Sequence, residues 1–305
     1  MTSAVQYQFS DLIVTSAEPL PELQVAAERA AEVAINWTAA GPTEHQPVFA
    51  AWPTPSGGQW LTFADAADGF LLTFTGLGQF DVSRDAARVT VRPFPGVDRS
   101  TMRHLLLNQV LPLVLSRRGR LVLHASAISR NGRVAAFIGR SGAGKSTMAA
   151  ACAAGGAAVV TDDCLVLRRE GARWLAVPCD AGVRLWPDTL ELLGWPRASG
   201  AGMAHFTDKR RVGAAHPAVR FETAALPLAC LIRLSRPDEP HVTGVLRGRH
   251  SVIALASELF RLDVRDARES RWQFDAISAL ATDVSIEAPV RAHPIEAAAA
   301  VLCRM

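Results

Sequence analysis

The stretch Gly139-Arg-Ser-Gly-Ala-Gly-Lys-Ser-Thr147 decides the fold of this chain, because it matches the complete pattern G-x-x-x-x-G-K-[ST]. The six residues from Arg133 to Ile138 have the apolar pattern of a short buried strand, and Ser146 to Gly155 that of a small-residue helix. Glycines let successive backbone N–H groups point inward, and the helix N-terminus adds partial positive charge, so this order forms a cradle for phosphate. The alternative is an ordinary glycine-rich turn. We predict an α/β fold that binds a nucleoside triphosphate.

Each residue of this loop has an expected role. Lys145 is expected to neutralise the β- and γ-phosphates, and the Ser146 hydroxyl is expected to ligate Mg²⁺. The predicted nucleotide-binding residues are Gly139, Arg140, Ser141, Gly142, Ala143, Gly144, Lys145, Ser146 and Thr147.

The composition limits the classes of protein to which the chain can belong. With 305 residues, of which 49% are apolar, it can form one large or two modest domains with a real core. Its 32 basic and 29 acidic side chains leave a net charge of +3, which does not predict a nucleic-acid partner. Five cysteines without a C-x-x-C pair predict reduced thiols and a cytoplasmic protein. No signal sequence is recognisable and the longest apolar run is short, so we expect no membrane association.

We predict two regions, an α+β N-terminal region over residues 1–117 and a phosphate-binding-loop core over residues 118–305 that ends in helices. In the first region, helical spacing predicts a helix from Leu20 to Ala34. A second helix is predicted from an Asp98 cap through Leu115, kinked by Pro112. The predicted strands are Pro47 to Trp52, Trp60 to Ala64, Phe70 to Phe74 and, in a hairpin that starts near Phe80, Arg88 to Arg92.

In the second region, Arg130-Asn-Gly132 predicts a tight turn between strands, and the glycine-rich, charged residues 195–215 predict a mobile loop over the nucleotide. The remaining predicted strands cover residues 121–128, 157–161, 164–168, 174–177 and 226–234, and the predicted helices cover 251–262, 270–280 and 295–303.

Outside the loop, two acids and a histidine are candidates for chemistry. Asp162 and Asp163 follow the strand after the loop helix, where a carboxylate can ligate Mg²⁺ or act as a general base. Adjacent residues of a strand point to opposite faces, so one of the two is expected to face the metal. His124 lies on the strand before the loop strand. The alternatives are a solvated or capping turn for the aspartates and a core position for the histidine.

Three basic residues are candidates for stabilising the transferred phosphoryl group. Arg184 follows the short sequence Gly182-Val, and Lys209 and Arg210 belong to a basic cluster. The alternative for each is a surface position or a structural ion pair.

The residues from Leu123-His-Ala-Ser-Ala through the loop to Thr-Asp-Asp163 resemble the catalytic core of the HPr kinase/phosphorylase family. That family has a histidine on the strand before a GxxxxGKS loop, a short helix, and a strand that ends in two aspartates. The resemblance covers about 45 residues. The chain is also similar to the broader group of HPr-kinase-like proteins, among them kinases of lasso-peptide precursors.

The resemblance implies a P-loop fold of the HPr kinase and phosphoenolpyruvate carboxykinase type. It further implies ATP- and Mg²⁺-dependent phosphorylation of a serine hydroxyl on a small protein or peptide. One of Asp162 and Asp163 would accept the serine proton and the other would serve the metal, while His124 would tune the acceptor. Both aspartates and Ser146 are therefore the implied metal site, and ATP and Mg²⁺ the implied cofactors.

The chain departs from the family at two places. Ala125 follows the histidine where the family has glycine, and Gly182-Val-Arg-Leu replaces an acidic stretch whose glutamate helps to hold Mg²⁺. Asp180 and Asp188 are the nearby acids that could substitute for that glutamate.

Three functions remain open: a serine kinase acting on a peptide or small protein, a small-molecule kinase on the same scaffold, and a regulatory ATPase. The sequence also leaves open whether the chain forms a homo-oligomer.

Overall fold

The chain forms two compact units with mixed α/β structure. The computed structural model describes residues 4–27, 29–39, 41, 46–53, 57–204, 206–239, 242–290 and 292–305. The first unit comprises Met1–Gly119 with Arg261–Arg265, and the second comprises Arg120–Phe260 with Asp266–Met305.

The described residues of the first unit form a nine-stranded sheet in the order β3-β1-β2-β4-β9-β8-β7-β6-β5. Its strands are β1 (Val5–Phe9), β2 (Leu12–Ser16), β3 (Gln24–Val25), β4 (Val33–Trp37), β5 (Val48–Pro53), β6 (Gln59–Ala66), β7 (Gly69–Phe74), β8 (Gly78–Ser83) and β9 (Arg88–Pro93). Phe74 and Phe80 are fully buried and meet edge to face with ring centres 5.6 Å apart. The four strands predicted between residues 47 and 92 are confirmed, as is the hairpin of β8 with β9.

The helix predicted over residues 20–34 is wrong. In the described part of this segment, β3 pairs with β1, and β4 begins at Val33 and pairs with β2 and β9. Leu20 and Leu23 are nevertheless buried, so the apolar positions face a core as expected. Propensity is a weak prior, and here the backbone hydrogen bonds of the sheet outweigh the helical preference of the alanines.

The predicted cap and break of the next helical segment are confirmed. Helix α1 (Arg99–Leu105) starts after Asp98, whose carboxylate accepts a hydrogen bond from the Thr101 N–H at 2.8 Å. A π-helical turn (Leu106–Val110) separates it from α2 (Leu111–Arg117). Pro112 explains this widening, because it has no N–H and its ring crowds the preceding turn.

The second unit contains the predicted loop helix and all the candidate site residues. Its elements are β10 (Leu121–Leu123), β11 (Ser126–Arg130), β12 (Arg133–Ile138), α3 (Lys145–Ala154), β13 (Ala158–Thr161), β14 (Leu165–Glu170), β15 (Arg173–Val177), β16 (Gly182–Leu185), α4 (Pro187–Leu192), β17 (Ala201–Ala204), β18 (Thr207–Gly213), β19 (Arg220–Phe221), β20 (Leu226–Arg233), β21 (Gly244–Leu246), α5 (Arg249–Ala256), α6 (Ala267–Asp283), β22 (Ser285–Ala288) and α7 (Pro294–Arg304).

Strand β12 is central to the large sheet of this unit, which has the order β10-β14-β15-β20-β12-β11-β13-β19 with β22 and β21 attached beside β20. Alternate residues of β12 face opposite cores. Val134, Ala136 and Ile138 pack in the cluster that includes α5 and α6, whereas Ala135 and Phe137 pack in the cluster that includes α3 and α7. Because both faces of β12 are covered, the loop that follows it starts from a rigid support.

The loop predicted over residues 195–215 is wrong, because β17 and β18 pair as antiparallel strands within this range. Strand β18 also pairs with β16 in a separate three-stranded sheet. Val212 is fully buried with Val183 and Leu185, and this contact fixes β18 although its sequence is rich in charge.

The turn predicted at residues 130–132 is confirmed. Asn131 and Gly132 both have positive φ, 52° and 71°, as a two-residue hairpin between β11 and β12 requires. No helix in the described part of the chain is long and apolar enough to cross a membrane.

Candidate active site

Three segments of the second unit meet at one edge of its large sheet. Strand β11 runs antiparallel to both β12 and β13, so Ser126 lies opposite Phe137 and the next residue lies opposite Thr161. The ends of β12 and β13 therefore come together at the start of β11. The single strand predicted over residues 121–128 is interrupted at His124, and this break places the histidine at the same edge.

The loop between β12 and α3 is shaped by its glycines. At Gly139 a Cβ atom would collide with the carbonyl oxygen of Leu234, so the loop begins tight against the end of β20. Gly144 has a φ of 93° and directly precedes Lys145, the first residue of α3. A Cβ at Gly144 would have no neighbouring heavy atom within 4 Å. Gly144 is therefore favoured by its left-handed backbone, and the loop ends at the N-terminus of a helix, where an anion is favoured.

Lys145 lies inside this loop rather than on the surface. Its side chain is buried, and its Nζ donates a hydrogen bond to the carbonyl oxygen of Gly139. Burial lowers the pKa of Lys145, and the charges of Glu258, Asp163 and Asp162 oppose this effect, with Glu258 the strongest of the three. The ammonium group therefore contacts the start of the loop, and the three carboxylates favour its charged form.

Asp162 is fully buried, and both of its oxygens are engaged. Oδ1 accepts a hydrogen bond from Ser126 Oγ at 2.5 Å, and Oδ2 accepts one from the Arg184 backbone N–H at 2.8 Å. Burial and the neighbouring charge of Asp163 raise the pKa of Asp162. In this position Asp162 ties β11 to β16 and has no oxygen open to solvent.

Asp163 is the aspartate that a ligand can reach. Its side chain is 20% exposed, and its Oδ1 lies 3.2 Å from His124 Nε2. Its φ of 69° lies in the left-handed region, so the strand alternation expected for the two acids does not apply. Burial opposes its charge, but the hydrogen bond with His124 and the charges of His124, Arg184 and Lys209 hold the pKa of Asp163 well below its ordinary value.

Arg184 is a buried cation between acids, with 2% of its side chain exposed. Its Nη2 lies 2.8 Å from Asp180 Oδ2, and its Nη1 donates to the Asp162 carbonyl oxygen at 2.8 Å. Burial opposes its charge, but Asp180, Asp163 and Asp162 raise the pKa of Arg184. Asp180 also accepts a hydrogen bond from Arg211 Nη2 at 3.2 Å. Arg184 therefore holds the aspartate turn in place, and Asp180 is occupied by two guanidinium groups.

The structure brings Lys209 to this site and directs Arg210 elsewhere. The Lys209 Nζ lies 5.5 Å from the centre of the Trp186 ring, and its charge acts on both Asp163 and Lys145. Arg210, the next residue of β18, donates to two backbone carbonyls just before β17, at 3.0 and 2.6 Å. The separation follows from strand geometry, because consecutive side chains leave opposite faces.

The donors that could hold Mg²⁺ are few. Ser146 is half-buried and its hydroxyl contacts no polar group among the described residues, and Asp163 supplies a reachable carboxylate. Asp188 is 87% exposed and pairs with Arg197 at 3.2 Å, so it does not replace the missing glutamate. In the part of the chain that the structure describes, no three His, Cys, Asp or Glu side chains form a metal site by themselves.

The remaining loop residues have local partners. Arg140 lies 3.4 Å from Glu239 Oε1, and the Ser141 carbonyl oxygen accepts a hydrogen bond from Arg236 at 3.4 Å. Thr147 Oγ1 lies 3.3 Å from the hydroxyl of a threonine on α4. The start of the loop is therefore bordered by the residues that follow β20.

Sequence reasoning missed two residues of this arrangement, namely Ser126 and Glu258, and considered Arg211 only as a member of the basic cluster with Lys209 and Arg210. Glu258 is buried, and its carbonyl oxygen accepts the His124 backbone N–H at 2.7 Å. It lies just after α5 and within the helix predicted over residues 251–262, and nothing in its local sequence distinguishes it from a surface acid. Ser126 belongs to the stretch that resembles the kinase family, so its proximity to His124 was the available signal.

No family model and no curated protein matches this chain. Among solved structures, the chain is similar to the Hpr(Ser) kinase/phosphatase from Coxiella burnetii. The match covers 60% of this chain and 93% of that one, with 14% sequence identity and a TM-score of 0.33. The chain has a mixed α/β fold, and its structural likeness to this kinase/phosphatase is distant.

Proposed function

We propose that the chain is an ATP- and Mg²⁺-dependent kinase that transfers the γ-phosphoryl group to a serine hydroxyl of a peptide or small protein. The observation that supports the proposal is that β12, which leads to the glycine-rich loop, and β13, which leads to Asp163, flank β11 and end at the same edge of the sheet. Asp163 acts electrostatically on the buried Lys145 and is held at its Oδ1 by His124. A phosphate-binding cation beside an ionised, reachable carboxylate is the combination that phosphoryl transfer to a hydroxyl needs.

The residues present fit ATP and Mg²⁺. The N-terminus of α3 would receive the phosphates, and Lys145 would exchange its hydrogen bond with the Gly139 carbonyl for phosphate oxygens. Ser146 would hold Mg²⁺, and phosphate oxygens and water would complete the shell of the ion. When bound, the ion would neutralise charge on the transferred group.

Asp163 is the residue that we assign as proton acceptor. In the proposed transfer, the serine oxygen bonds to the γ-phosphorus while the bond from that phosphorus to the β–γ bridging oxygen breaks. The bridging oxygen keeps the electron pair and leaves with ADP, and the serine proton passes to the Asp163 carboxylate. Lys145 and Lys209 offset the negative charge of the phosphoryl group. Asp162 and Arg184 position the turn and do not take part in the transfer.

The acceptor decides between this proposal and the two other functions. A small-molecule kinase would use the same loop, and a regulatory ATPase would not need Asp163 as an acceptor base. The cytoplasmic location and the lack of a nucleic-acid partner are proposals that rest on composition alone.

The experiment is a label-transfer assay with γ-labelled ATP, Mg²⁺ and serine-containing peptides encoded next to this chain's gene. We expect label on a serine, detected by mass spectrometry, and its loss in Lys145→Ala. Because water is a poorly oriented substitute for the acceptor, hydrolysis without a peptide should be slow. Rapid hydrolysis without an acceptor, together with no labelled peptide, would contradict the proposal and favour the ATPase.

A further inference from the structure

A cavity of about 800 Å³ lies in the second unit between the end of β20 and helix α5. We call it the basic cavity, because three arginines and a histidine are among the residues that line it. The residues that matter for its chemistry are Arg140, Arg233, Val245, Arg247, His250 and Ile253.

The basic cavity borders the end of the glycine-rich loop at which a terminal phosphoryl group would lie. Lys145 reaches back to the carbonyl of Gly139, and the lysine of such loops contacts the β- and γ-phosphates, so the start of the loop marks the γ end. Arg140 is the second residue of the loop and lines the cavity. Ser257 lines it from the other side and directly precedes Glu258, whose carbonyl receives the His124 N–H.

Two of the three arginines that line this cavity have no acidic partner among the residues that the structure describes. Arg140 pairs with Glu239 at 3.4 Å. The side chains of Arg233, Arg247 and His250, in contrast, form no hydrogen bond or ion pair with any residue that the structure describes. Unpaired arginines that share one concave surface favour an anionic ligand, because guanidinium groups bind carboxylate or phosphate in particular.

The cavity also has an apolar part and an open strand edge. Val245 is 51% exposed and Ile253 is 63% exposed, so both present apolar surface to a ligand. Val245 lies on β21, which pairs with β22 on one side and with no other described strand. An unpaired strand edge can receive an extended peptide through backbone hydrogen bonds. This edge favours a peptide over a small anion.

We propose that the basic cavity binds the acceptor peptide, and that it selects a segment in which acidic and apolar residues flank the serine. Acidic side chains of the peptide pair with Arg233 and Arg247, and an apolar neighbour contacts Val245 and Ile253. The inference rests on the proposed kinase function, because it assigns the substrate class of that same site.

The test is the binding of a short fluorescein-labelled peptide with a central serine among glutamates and leucines, measured by fluorescence anisotropy at low and high salt. A peptide with lysines in place of the glutamates is the comparison ligand. We expect the acidic peptide to bind more tightly, and Arg247→Glu to weaken it about tenfold or more. Arg271→Glu is the matched control, because this exposed arginine of α6 carries the same charge change and does not line the cavity.

Equal binding of the two peptides, or equal loss in Arg247→Glu and Arg271→Glu variants that keep the wild-type circular dichroism spectrum, would overturn the inference. Binding of inorganic phosphate or a free dicarboxylate without any peptide binding would also overturn it and favour a small-molecule acceptor. The test does not require catalysis. ATP binding by wild type and Lys145→Ala, measured in parallel, separates a failure of the kinase proposal from a failure of this one.

Discussion

Arg184→Met is the substitution that tests most directly how the site is held together. Methionine keeps most of the volume of the side chain and removes its charge. The change leaves Asp162 fully buried without its nearest cation and removes two hydrogen bonds of 2.8 Å. Breaking a buried ion pair from one side costs about 3–5 kcal/mol. Because Asp180 keeps its contact with Arg211, we expect the lower end, about 3 kcal/mol at neutral pH.

The loss of stability in Arg184→Met should depend on pH, and the direction of this dependence follows from the pKa of Asp162 in the folded and unfolded chain. Removing Arg184 raises the pKa of Asp162 further above its value in the unfolded chain. A group with a raised folded-state pKa destabilises the fold at higher pH, and this cost disappears as the pH falls and the group binds a proton. We therefore expect the stability difference from wild type to shrink between neutral and mildly acidic pH.

The assay is urea unfolding followed by circular dichroism at both pH values. Arg197→Met is the control, because this exposed arginine pairs only with acids on the surface and should change the midpoint little. Wild-type stability of Arg184→Met at neutral pH, or a difference that grows on acidification, would refute the electrostatic account of the buried network.

Three further predictions concern the charges around the loop. Lys145→Met should weaken ATP binding about tenfold or more, because it removes the cation that contacts the phosphates. It should not lower the thermal midpoint, because burial of the charged lysine costs folding free energy. Calorimetry with and without ATP measures both effects, and unchanged ATP binding would contradict a phosphate-binding role of the loop. The stability of wild type relative to Asp163→Asn should be greatest at neutral pH and should fall as the pH drops through the low folded-state pKa of Asp163. Urea unfolding at several pH values checks this, and a stability difference that widens in acid would contradict it. Glu258→Gln should lower the pKa of Lys145 further, so that the lysine loses its charge at a lower pH. Phosphotransfer should therefore fall more at high pH than at low pH. A pH–rate profile parallel to that of wild type would show that Glu258 does not act on the lysine.

Much of the second unit could be predicted because its local patterns are strong. The pattern from Gly139 to Thr147 fixed a strand, loop and helix, and Asn131-Gly132 specified its own turn conformation. The helix expected over residues 20–34 failed because spacing and propensity cannot weigh the backbone pairing that a nearby sheet offers. The hairpin within residues 195–215 was missed for a similar reason, since the burial of Val212 against β16 is a tertiary contact.

The candidate site was predictable only in part. The order of the strands around β11 explains why His124, the loop and the aspartates share one edge, and a resemblance of motifs anticipated that grouping. The division of labour between Asp162 and Asp163 depends instead on burial and on the left-handed backbone at Asp163, which no sequence pattern shows. Glu258 comes from a distant part of the chain, so only the fold brings its charge to Lys145.

The central claim is that Asp163 accepts the proton of the acceptor hydroxyl while Asp162 supports the turn. The measurement that tests it most directly is the rate of phosphate transfer to a serine peptide by Asp163→Asn and Asp162→Asn, with ATP binding and unfolding measured on the same samples. The account predicts that Asp163→Asn binds ATP within about tenfold of wild type and loses transfer about 10²-fold or more. It predicts that the main effect of Asp162→Asn is a lower free energy of unfolding, because a buried hydrogen-bond acceptor is replaced. Wild-type transfer by Asp163→Asn, with ATP binding intact, would contradict the account.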